Sequence, residues 1–497
     1  MVGQTVPIVP DCPVSTGPRV TPMQRLVPPL VVVCLAASAA AGADPPALRT
    51  AEQGVELGSA AVPDAAAAPT PETLEEFVAL AERSHPRLRQ AAAAVEAARG
   101  KAVQARLYPN PMLAAGSPQA AGRYSQWNVY ASQDVVTGGK LRLQQQAALR
   151  EVQQAEYELI RARYEVLTGT RIAFYELAVA QRRAEIYTLL LDIAKRSYEI
   201  GRQLAAAGEG TKADVLFWSI ERDRAEARLL NAAVFIEADR RQLATAVGLP
   251  RADVGRIRAD LYRRMPDFDL KMLQEAVVGA NAQPRAAESA IARTQWALER
   301  AVVQPIPNIN LMGGYQRQVD YPAQDQALVQ VMAAVPLFDR NQGNIRSARA
   351  DIAEARAALR GVELELAAQT ATALAQYRTA QQLAAWYETR ILPQARETVA
   401  LTQTLYARGE VTFLSLLQAQ KILTETELAF VEAQAERWRG AATIADLLQL
   451  DEFPPADDAP AALALGADWL PRLPDTAAAE AKPAAKPEAV PAPAPKR

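Results

Sequence analysis

The sequence predicts a mainly α-helical protein with a small β component, built from two copies of one domain-sized unit. The turn Tyr108–Pro111 (Tyr-Pro-Asn-Pro) recurs in similar form at Gln304–Asn308, about 200 residues further on. Gly248-Leu249 ends the helical pattern of the first half, and Gln449-Leu450 ends that of the second half. A period of this length is too long for a solenoid unit, so the pattern indicates two pseudo-equivalent structures packed together.

Composition excludes several classes of protein. The chain has 497 residues, of which 50% are hydrophobic and 22% charged, and its formal net charge is −2. It is therefore able to bury a core, and it lacks the positive charge that favours nucleic-acid partners. The two cysteines, Cys12 and Cys34, lie in a segment that we expect to be removed, and His85 is the single histidine. We therefore predict no disulfide, no metal site and no cofactor.

The N-terminal region carries the pattern of an export signal. After Met23, Gln24-Arg25 supplies a charged segment, residues 26–40 supply an apolar segment, and residues 41–43 supply a small-residue cleavage pattern. We interpret residues 1–43 as an upstream extension followed by a signal peptide. No segment reaches the about 20 apolar residues of a membrane-spanning helix, so any membrane crossing must use strands.

Two questions about the ends of the chain stay open in the sequence. Either Met1 or Met23 is the true start, and a lipoprotein anchored through Cys34 is the alternative to a signal peptide cleaved after residue 43. Residues 44–71 are rich in Ala, Pro and Gly and are interpreted as a flexible linker. Residues 451–497 form an Ala/Pro-rich segment that we expect to be a disordered tail.

Between these ends, the hydrophobic period changes from helical spacing to alternation in two places. The first repeat, residues 72–263, alternates at about 112–136, and the second repeat, residues 264–450, alternates at about 308–337. Each of these ranges has room for two alternating runs of about ten residues, which is the length of a tilted strand that crosses a bilayer. The pattern therefore predicts a pair of strands in each repeat.

The alternative is an ordinary hairpin on a soluble sheet, but two features favour a membrane sheet. The strands lie between very long helices, with no other sheet to pack against, and aromatic residues cluster near their ends as in an interfacial girdle. These aromatic residues are Tyr108, Trp127, Tyr315 and Tyr321. Four strands do not close a barrel, because the smallest barrel holds about eight. An exported chain of this kind must therefore form its barrel by oligomerising.

A long helical hairpin follows each strand pair, at about 138–248 and at about 343–450. Apolar and small residues recur at three-four spacing, which is coiled-coil periodicity, and about 65 residues of helix span on the order of 100 Å. Pro393 is expected to kink the second hairpin. Each hairpin reverses at a glycine-marked turn, residues 208–211 and 408–412. We interpret the scattered Asp, Glu and Arg residues as solvated helix faces.

Three segments resemble a known family over about residues 72–450. They are Asp134–Lys140, Val335–Ile345 and Leu405–Leu417, the last followed by Gln418-Ala419-Gln420. Together with the order of elements, they resemble the TolC family of outer-membrane efflux channels. The resemblance implies a homotrimer with a twelve-stranded β-barrel in the outer membrane and an α-helical tunnel in the periplasm. It further implies passive conduction, without enzymatic activity, of substrate delivered by an inner-membrane RND-type pump and a periplasmic adaptor.

The resemblance also assigns roles to residues at the hairpin tips. In the channel that names the family, hydrogen bonds between coils hold a periplasmic gate, and the matching positions here are Asp214 and Tyr406. Val411 stands where that channel has an arginine, and Ser415 and Gln418 stand where it has an acidic ring. The adaptor would dock on the turn residues Gly208, Glu209, Gly210, Thr211, Arg408, Gly409, Glu410 and Val411. The alternative is that Asp214 only caps its helix, with Thr211, and that Tyr406 only packs.

The cargo is predicted less sharply than the conduit. The segments Tyr108–Pro111, Thr137–Lys140 and Phe338–Gln342 look closer to the CzcC-type branch that serves heavy-metal pumps, which favours metal cations. Drugs or other small molecules are the alternative cargo. An alternative of another class is a soluble periplasmic coiled-coil adaptor or scaffold. An enzyme is not predicted, since the sequence shows neither a nucleophile-base pairing nor a phosphate-binding loop.

Overall fold

The structure is a computed structural model that describes residues 71–120, 125–208, 210–250, 253–319, 323–408 and 410–454. The predicted signal peptide, the linker up to residue 70 and the tail beyond residue 454 lie outside the described residues. Within the described ranges, the chain is mainly helical and has one small sheet. The mainly α fold with a minor β component is therefore confirmed.

Each half of the chain contains two short helices, two strands and a long helical hairpin, in that order. The first half contains α1 (Leu74–Ser84), α2 (Pro86–Gln104), β1 (Met112–Gln119), β2 (Ser125–Val135), α3 (Lys140–Ala206) and α4 (Lys212–Ala246). The second half contains α5 (Leu270–Ala280), α6 (Ala282–Val302), β3 (Ile309–Val319), β4 (Gln324–Ala333), α7 (Gln342–Trp386), a π-helical turn (Tyr387–Ile391), α8 (Leu392–Ala407) and α9 (Phe413–Leu448).

The helical run before the first strands is divided by a proline. Residue His85 is extended (φ −66°, ψ 125°), because the residue before a proline is disfavoured in the α region, and α2 begins at Pro86. The His85 imidazole Nδ1 accepts a hydrogen bond from the Arg87 backbone N–H at 3.2 Å, which caps α2. In the second half, Asn281 caps α6 in the same way through the Gln283 backbone N–H.

The long helices differ between the two hairpins. Helix α3 runs without interruption for 67 residues, and its length at 1.5 Å per residue is on the order of 100 Å. The second hairpin reaches its tip through α7 and α8, which are joined by the π-helical turn Tyr387–Ile391. The Leu392 backbone N–H donates to the Tyr387 carbonyl, directly before Pro393, which has no N–H to donate. The interruption predicted at Pro393 is thus a π-helical turn on its N-terminal side.

The ends of the two hairpins dock on the short helices in corresponding ways. At the end of α4, a Cβ built on Gly248 (φ 86°) would lie 2.8 Å from His85 Cα, so the close approach requires glycine. The Ser84 hydroxyl donates to the Val247 carbonyl at 2.8 Å. At the end of α9, the Asn281 side chain donates to the Leu447 carbonyl at 3.1 Å.

The core lies where α1, α3, α5, α7 and α9 meet around the segment 253–269, which connects the two halves. Trp438 stacks on Tyr175 with ring centroids 3.7 Å apart, and its indole N–H donates to the Leu261 carbonyl at 3.0 Å. The Tyr377 hydroxyl donates to the Pro266 carbonyl at 2.8 Å. Side chains of α7 and α9 thereby hold a segment that has no regular secondary structure of its own.

Candidate membrane sheet and hairpin tips

The described strands form one antiparallel sheet in the order β1-β2-β3-β4. The central pair joins the two halves of the chain, because β2 pairs with β3 from Ser125 opposite Val319 to Val135 opposite Ile309. This ladder has no register shift, whereas β1 against β2 is irregular between Gly116 and Gln119. The outer edges of β1 and β4 have no strand partner within the described sheet, and such edges are available for pairing with another chain.

One face of the sheet is apolar and the other is polar, because side chains alternate along each strand. The apolar face carries mostly apolar side chains through its middle: Leu113, Trp127, Val129, Ala131, Leu311, Tyr315, Val329 and Val331. The polar face carries mainly amides: Gln126, Asn128, Asn310, Gln316, Gln318, Gln324, Gln326 and Gln330. Leu113 and Val329 are each 81% exposed, so the apolar face is uncovered in the single chain. An exposed apolar surface of this kind marks contact with a membrane or a partner.

Of the predicted girdle residues, Tyr108 and Trp127 lie near opposite ends of the sheet, whereas Tyr315 lies inside β3. Trp127 and Tyr315 are exposed on the apolar face, towards the two hairpin loops. The Tyr315 hydroxyl donates to Asp325 Oδ1 at 2.5 Å, across the β3–β4 pair. Tyr108 lies before β1, at the opposite end of the sheet, and is 59% exposed. Tyr321 lies outside the described residues.

A polar seam locks the end of β2 to the turn before β3. The Lys140 amine donates to the Ile306 carbonyl at 2.5 Å and to Asn308 Oδ1 at 2.7 Å, and the Thr137 hydroxyl donates to the Pro307 carbonyl at 2.5 Å. Lys140 is only 3% exposed, and this burial lowers its pKa.

Backbone conformation explains why this seam contains Gly138-Gly139. Both glycines adopt left-handed φ angles, of 68° and 66°, and a Cβ on Gly138 would lie 3.1 Å from the Ile306 side chain. The segments Thr137–Lys140 and Gln304–Asn308 were each singled out in the sequence, but their contact was not predicted.

The α3–α4 tip shows a capping arrangement at Asp214. Its Oδ2 accepts hydrogen bonds from the Thr211 backbone N–H at 2.9 Å and from the Thr211 hydroxyl at 2.7 Å. These bonds lower the pKa of Asp214, first through the hydroxyl and then through the N–H. Gly208 has a φ of 81° at the start of the turn, directly after the C-cap of α3, a conformation that favours glycine, and Glu209 lies outside the described residues.

Tyr406 belongs to a row of aromatic rings that joins the two hairpin tips. Its ring lies 5.6 Å from that of Phe413 on α9, which lies 5.1 Å from that of Trp218 on α4. Trp218 in turn packs on α3, where a Cβ on Gly201 would lie 2.4 Å from its Cδ1. In the described tips, no hydrogen bond joins Asp214 to Tyr406, so the single chain does not bring the two predicted gate residues together.

The remaining tip residues lie around the α8–α9 turn. Thr412 caps α9, since its hydroxyl accepts from the Ser415 backbone N–H at 3.3 Å. Gln418 is exposed about one turn further on, and Val411 is half-buried in the turn. The Glu410 backbone N–H donates to the Leu405 carbonyl at 3.0 Å. Arg408 is the C-cap of α8 and is exposed. Gly210 and Thr211 lie in the α3–α4 turn, and Gly409 lies outside the described residues.

The interpretation of the arginines as solvated is wrong for two of them. The Arg171 guanidinium donates to the Leu450 and Asp451 carbonyls at 2.9 and 2.8 Å, and its burial lowers its pKa to about 10. Arg437 donates to the Leu261 and Arg263 carbonyls, at 3.0 Å each. Both side chains hold irregular backbone in place, a role that sequence spacing does not reveal.

The described residues contain no group of three or more His, Cys, Asp or Glu side chains placed to bind a metal ion. Among the helices described, none combines the length and apolar character that a membrane span requires. His85, the single histidine of the chain, serves as a helix cap.

Two long helical hairpins that carry an amphipathic sheet with open edges define the class of outer-membrane efflux channels. Residues 78–249 and 277–448 match the family described as "Outer membrane efflux protein", and the chain belongs to this family. The resemblance to TolC-family channels is thereby confirmed, and the protein is located in the outer membrane with its helices in the periplasm. Family membership also decides against the soluble scaffold.

Two curated relatives carry names from metal resistance. The chain is 24% identical over 382 residues to the cobalt-zinc-cadmium resistance protein CzcC of Cupriavidus metallidurans, covering 76% of this chain and 90% of CzcC. It is 27% identical over 341 residues to the nickel-cobalt-cadmium resistance protein NccC of Alcaligenes xylosoxydans xylosoxydans, covering 64% and 72%. Among solved structures, the outer membrane protein VceC of Vibrio cholerae aligns with a TM-score of 0.62 and 22% identity, covering 76% of this chain and 95% of VceC.

Proposed function

We propose that three copies of this chain form the outer-membrane channel of a tripartite efflux system that exports metal cations. The observation that carries the proposal is the four-stranded sheet with one exposed apolar face, one amide-rich face and two open edges. In a closed barrel, the apolar face contacts lipid, the amide face lines a water-filled lumen, and the edges pair. Three chains supply the twelve strands that family resemblance implies, and the exposed aromatics Tyr108, Trp127 and Tyr315 become its interfacial girdle.

Helix packing within the chain supports closure by further copies. Helix α3 packs on both α6 and α9, whereas α2 and α4 keep apolar side chains exposed, among them Val103, Leu230 and Val234. Leu364 on α7 is exposed as well. If the two halves are pseudo-equivalent, α7 corresponds to α3, α2 to α6 and α4 to α9. Helix α7 would then pack on α2 and α4 of the next copy, just as α3 packs on α6 and α9 within the chain. The closed ring of helices then forms the periplasmic tunnel.

The hairpin tips are the proposed docking surface for a periplasmic adaptor that connects the channel to an inner-membrane RND-type pump. Both tips lie at the ends of the long helices, and the aromatic row from Tyr406 to Trp218 holds them side by side. The pump supplies the energy, and the channel conducts passively without catalysis. No resident metal site is needed, because a wide polar lumen passes hydrated ions.

We propose metal cations as the cargo because the relatives CzcC and NccC are named as metal-resistance proteins. The test deletes the gene in its host and measures cell-associated cobalt, zinc and cadmium after exposure to each metal. Deletion should raise metal content and lower tolerance, and the wild-type gene should restore both. Unchanged metal content together with increased accumulation of organic drugs would assign the alternative cargo.

A matched pair of variants connects this phenotype to the sheet. Val329→Asp places a charge on the apolar face and should prevent both membrane insertion and rescue, because a carboxylate facing lipid is costly. Gln330→Asp, the next residue of β4, places the same charge on the amide face and should be tolerated. Equal rescue by both variants would contradict the assignment of the two faces.

We further propose that Asp214 and Tyr406 act at a gate formed between coils, with Ser415 and Gln418 lining the ring beside it. Asp214→Ala together with Tyr406→Phe should raise the conductance of single channels in planar bilayers. Thr211→Ala is the control, because it removes the hydroxyl that caps α4 but leaves the carboxylate of Asp214 and its bond from the backbone N–H of residue 211 in place. An unchanged conductance in the double variant would contradict the gate, and an equal rise with Thr211→Ala would assign Asp214 to capping alone.

A further inference from the structure

The junction between the two halves of the chain provides a template for the junction between copies. Inside the chain, β2 and β3 are neighbours and belong to different halves. The corresponding strands β4 and β1 are the two open edges of the described sheet. The inference rests on the proposed oligomer and adds the register in which these two edges meet.

Corresponding positions in the two strand pairs follow from the turns and the observed registers. Leu113 and Leu311 are each the third residue after the asparagine of a Pro-Asn turn. Leu113 pairs with Ala131, and Leu311 pairs with Val331. Leu113 therefore corresponds to Leu311, and Ala131 corresponds to Val331.

The β2–β3 ladder inside the chain (the inner ladder) then predicts the register of the β4–β1 ladder between copies. Ser132 lies opposite Met312 in the β2–β3 ladder. By the same correspondence, Ser132 of β2 is equivalent to Met332 of β4, and Met312 of β3 is equivalent to Ala114 of β1. We propose that β4 of one copy pairs antiparallel with β1 of the next copy, with Met332 opposite Ala114 and hence Val331 opposite Ala115.

The alternation of side chains supports this register independently. It places Leu113 and Ala115 beside Val331 and Ala333, so the apolar face continues from copy to copy. A slip by one residue would instead place the apolar set of one strand beside the polar set of the other. The correspondence was derived from the turns and the ladders without using polarity, so this agreement is a separate observation.

Exposed residues in the connections that flank β4 and β1 also fit the proposed contact between copies. In the chain, the connection Thr137–Lys140 covers the turn Ile306–Asn308. The corresponding connection, residues 337–342, includes Phe338, which is 91% exposed, and the corresponding turn begins at the exposed Tyr108. Pairing in the proposed register brings this connection over residues 108–110 of the next copy and covers both aromatic rings.

Paired cysteines test the register in full-length protein in outer membranes. The background carries Cys12→Ser and Cys34→Ser, which leaves no other cysteine. Ala114→Cys with Met332→Cys lies on the polar face, and oxidation should convert the one-copy band on non-reducing gels into linked copies up to three. Met112→Cys with Met332→Cys is slipped by two residues on the same face, with Cα atoms about 7–8 Å apart, and should stay unlinked.

A pair within the chain controls for geometry. Ser132→Cys with Met312→Cys occupies the corresponding site in the inner ladder and should form its disulfide without changing the apparent mass. If this control closes and the particle has the mass of three copies, but only the slipped pair or neither pair links, the register is wrong while the oligomer stands. If the particle has the mass of one copy, the proposed function fails as well.

Discussion

At the scale of single residues, buried polar side chains connect parts of the chain that are distant in sequence. Lys140 joins the end of β2 to the turn before β3, and Arg171 and Arg437 bind carbonyls of irregular backbone. Each cation satisfies carbonyl oxygens that burial would otherwise leave without a donor. Such residues are spaced like surface residues in the sequence, and only their contacts distinguish them.

Replacing Lys140 tests the seam directly. Lys140→Met keeps the aliphatic part of the side chain but leaves the Ile306 carbonyl without its donor and leaves Asn308 Oδ1 with only the longer bond from the Thr137 N–H, which should cost about 1–3 kcal/mol. The expected result is a lower apparent melting temperature of the detergent-solubilised protein, followed by circular dichroism. Lys101→Met is the control, since Lys101 is an exposed lysine paired with Glu151 and should change stability little. Equal effects of the two changes would contradict the role of the seam.

His85 predicts a specific dependence of stability on pH. Its burial, and secondly the charge of Arg87, lower its pKa, and the ring nitrogen Nδ1 accepts the capping hydrogen bond from the Arg87 backbone N–H. A histidine with a lowered folded pKa stabilises the fold above its unfolded value of about 6.5 and loses that contribution as pH falls through the folded value. The apparent melting temperature should therefore fall between pH 7 and pH 5.

His85→Asn provides the comparison, because asparagine caps helices without titrating in this range. The variant should flatten the pH profile, since His85 is the single histidine of the chain. Parallel profiles for the wild type and the variant would contradict the assignment.

At the scale of helices and strands, close helix approach depends on small residues placed opposite large ones. Gly201 on α3 receives the Trp218 ring of α4, and Gly440 on α9 approaches the backbone of Tyr377 on α7, where a Cβ would lie 3.0 Å from its Cα. These contacts fix the spacing within each hairpin. Near the tips, the position of Trp218 also sets the position of the aromatic row that leads to Tyr406.

Alanine substitutions at two glycines of α3 distinguish the effect of packing against Trp218 from the effect of helix propensity. Gly201→Ala would place a methyl group 2.4 Å from Trp218 Cδ1, and relieving the overlap should cost about 1–3 kcal/mol and loosen the tip. Gly169→Ala has no neighbouring atom within 4 Å in the chain and should gain about 0.5–1 kcal/mol. Thermal unfolding and limited proteolysis at the tip measure both effects. A stabilising Gly201→Ala would contradict the described packing.

Secondary structure was predictable here because the hydrophobic period changes sharply. The alternation around Trp127, Val129 and Ala131 predicted a strand where β2 lies, and three-four spacing predicted the long helices. The break at His85-Pro86 was missed, since apolar spacing continues across it and only the conformation imposed by the proline separates α1 from α2.

The candidate site was only partly predictable for a related reason. The glycine turns and Asp214 stand out locally, and resemblance pointed to Tyr406. The partners Trp218, Phe413 and Gly201 come from three different helices, so no local spacing predicts their contact. The pairing of β2 with β3 is likewise long-range, and it became visible only in the sheet.

At the scale of the whole molecule, the chain belongs to a family of outer-membrane efflux proteins and leaves matching surfaces uncovered. One apolar face, two open strand edges and exposed apolar side chains on α2, α4 and α7 all require neighbours. A membrane alone would cover the apolar face of the sheet, whereas the backbone groups at the edges of β1 and β4 need other strands as hydrogen-bond partners. A closed ring of copies satisfies both requirements, and this is the central claim of the proposed function.

The mass of the protein extracted from outer membranes in mild detergent, corrected for bound detergent, tests that claim most directly. The proposed channel predicts a particle of three copies that carries a belt of detergent around the apolar faces of its strands. A single copy without bound detergent would contradict the barrel, and with it the assignment of this chain as the conduit of an efflux system.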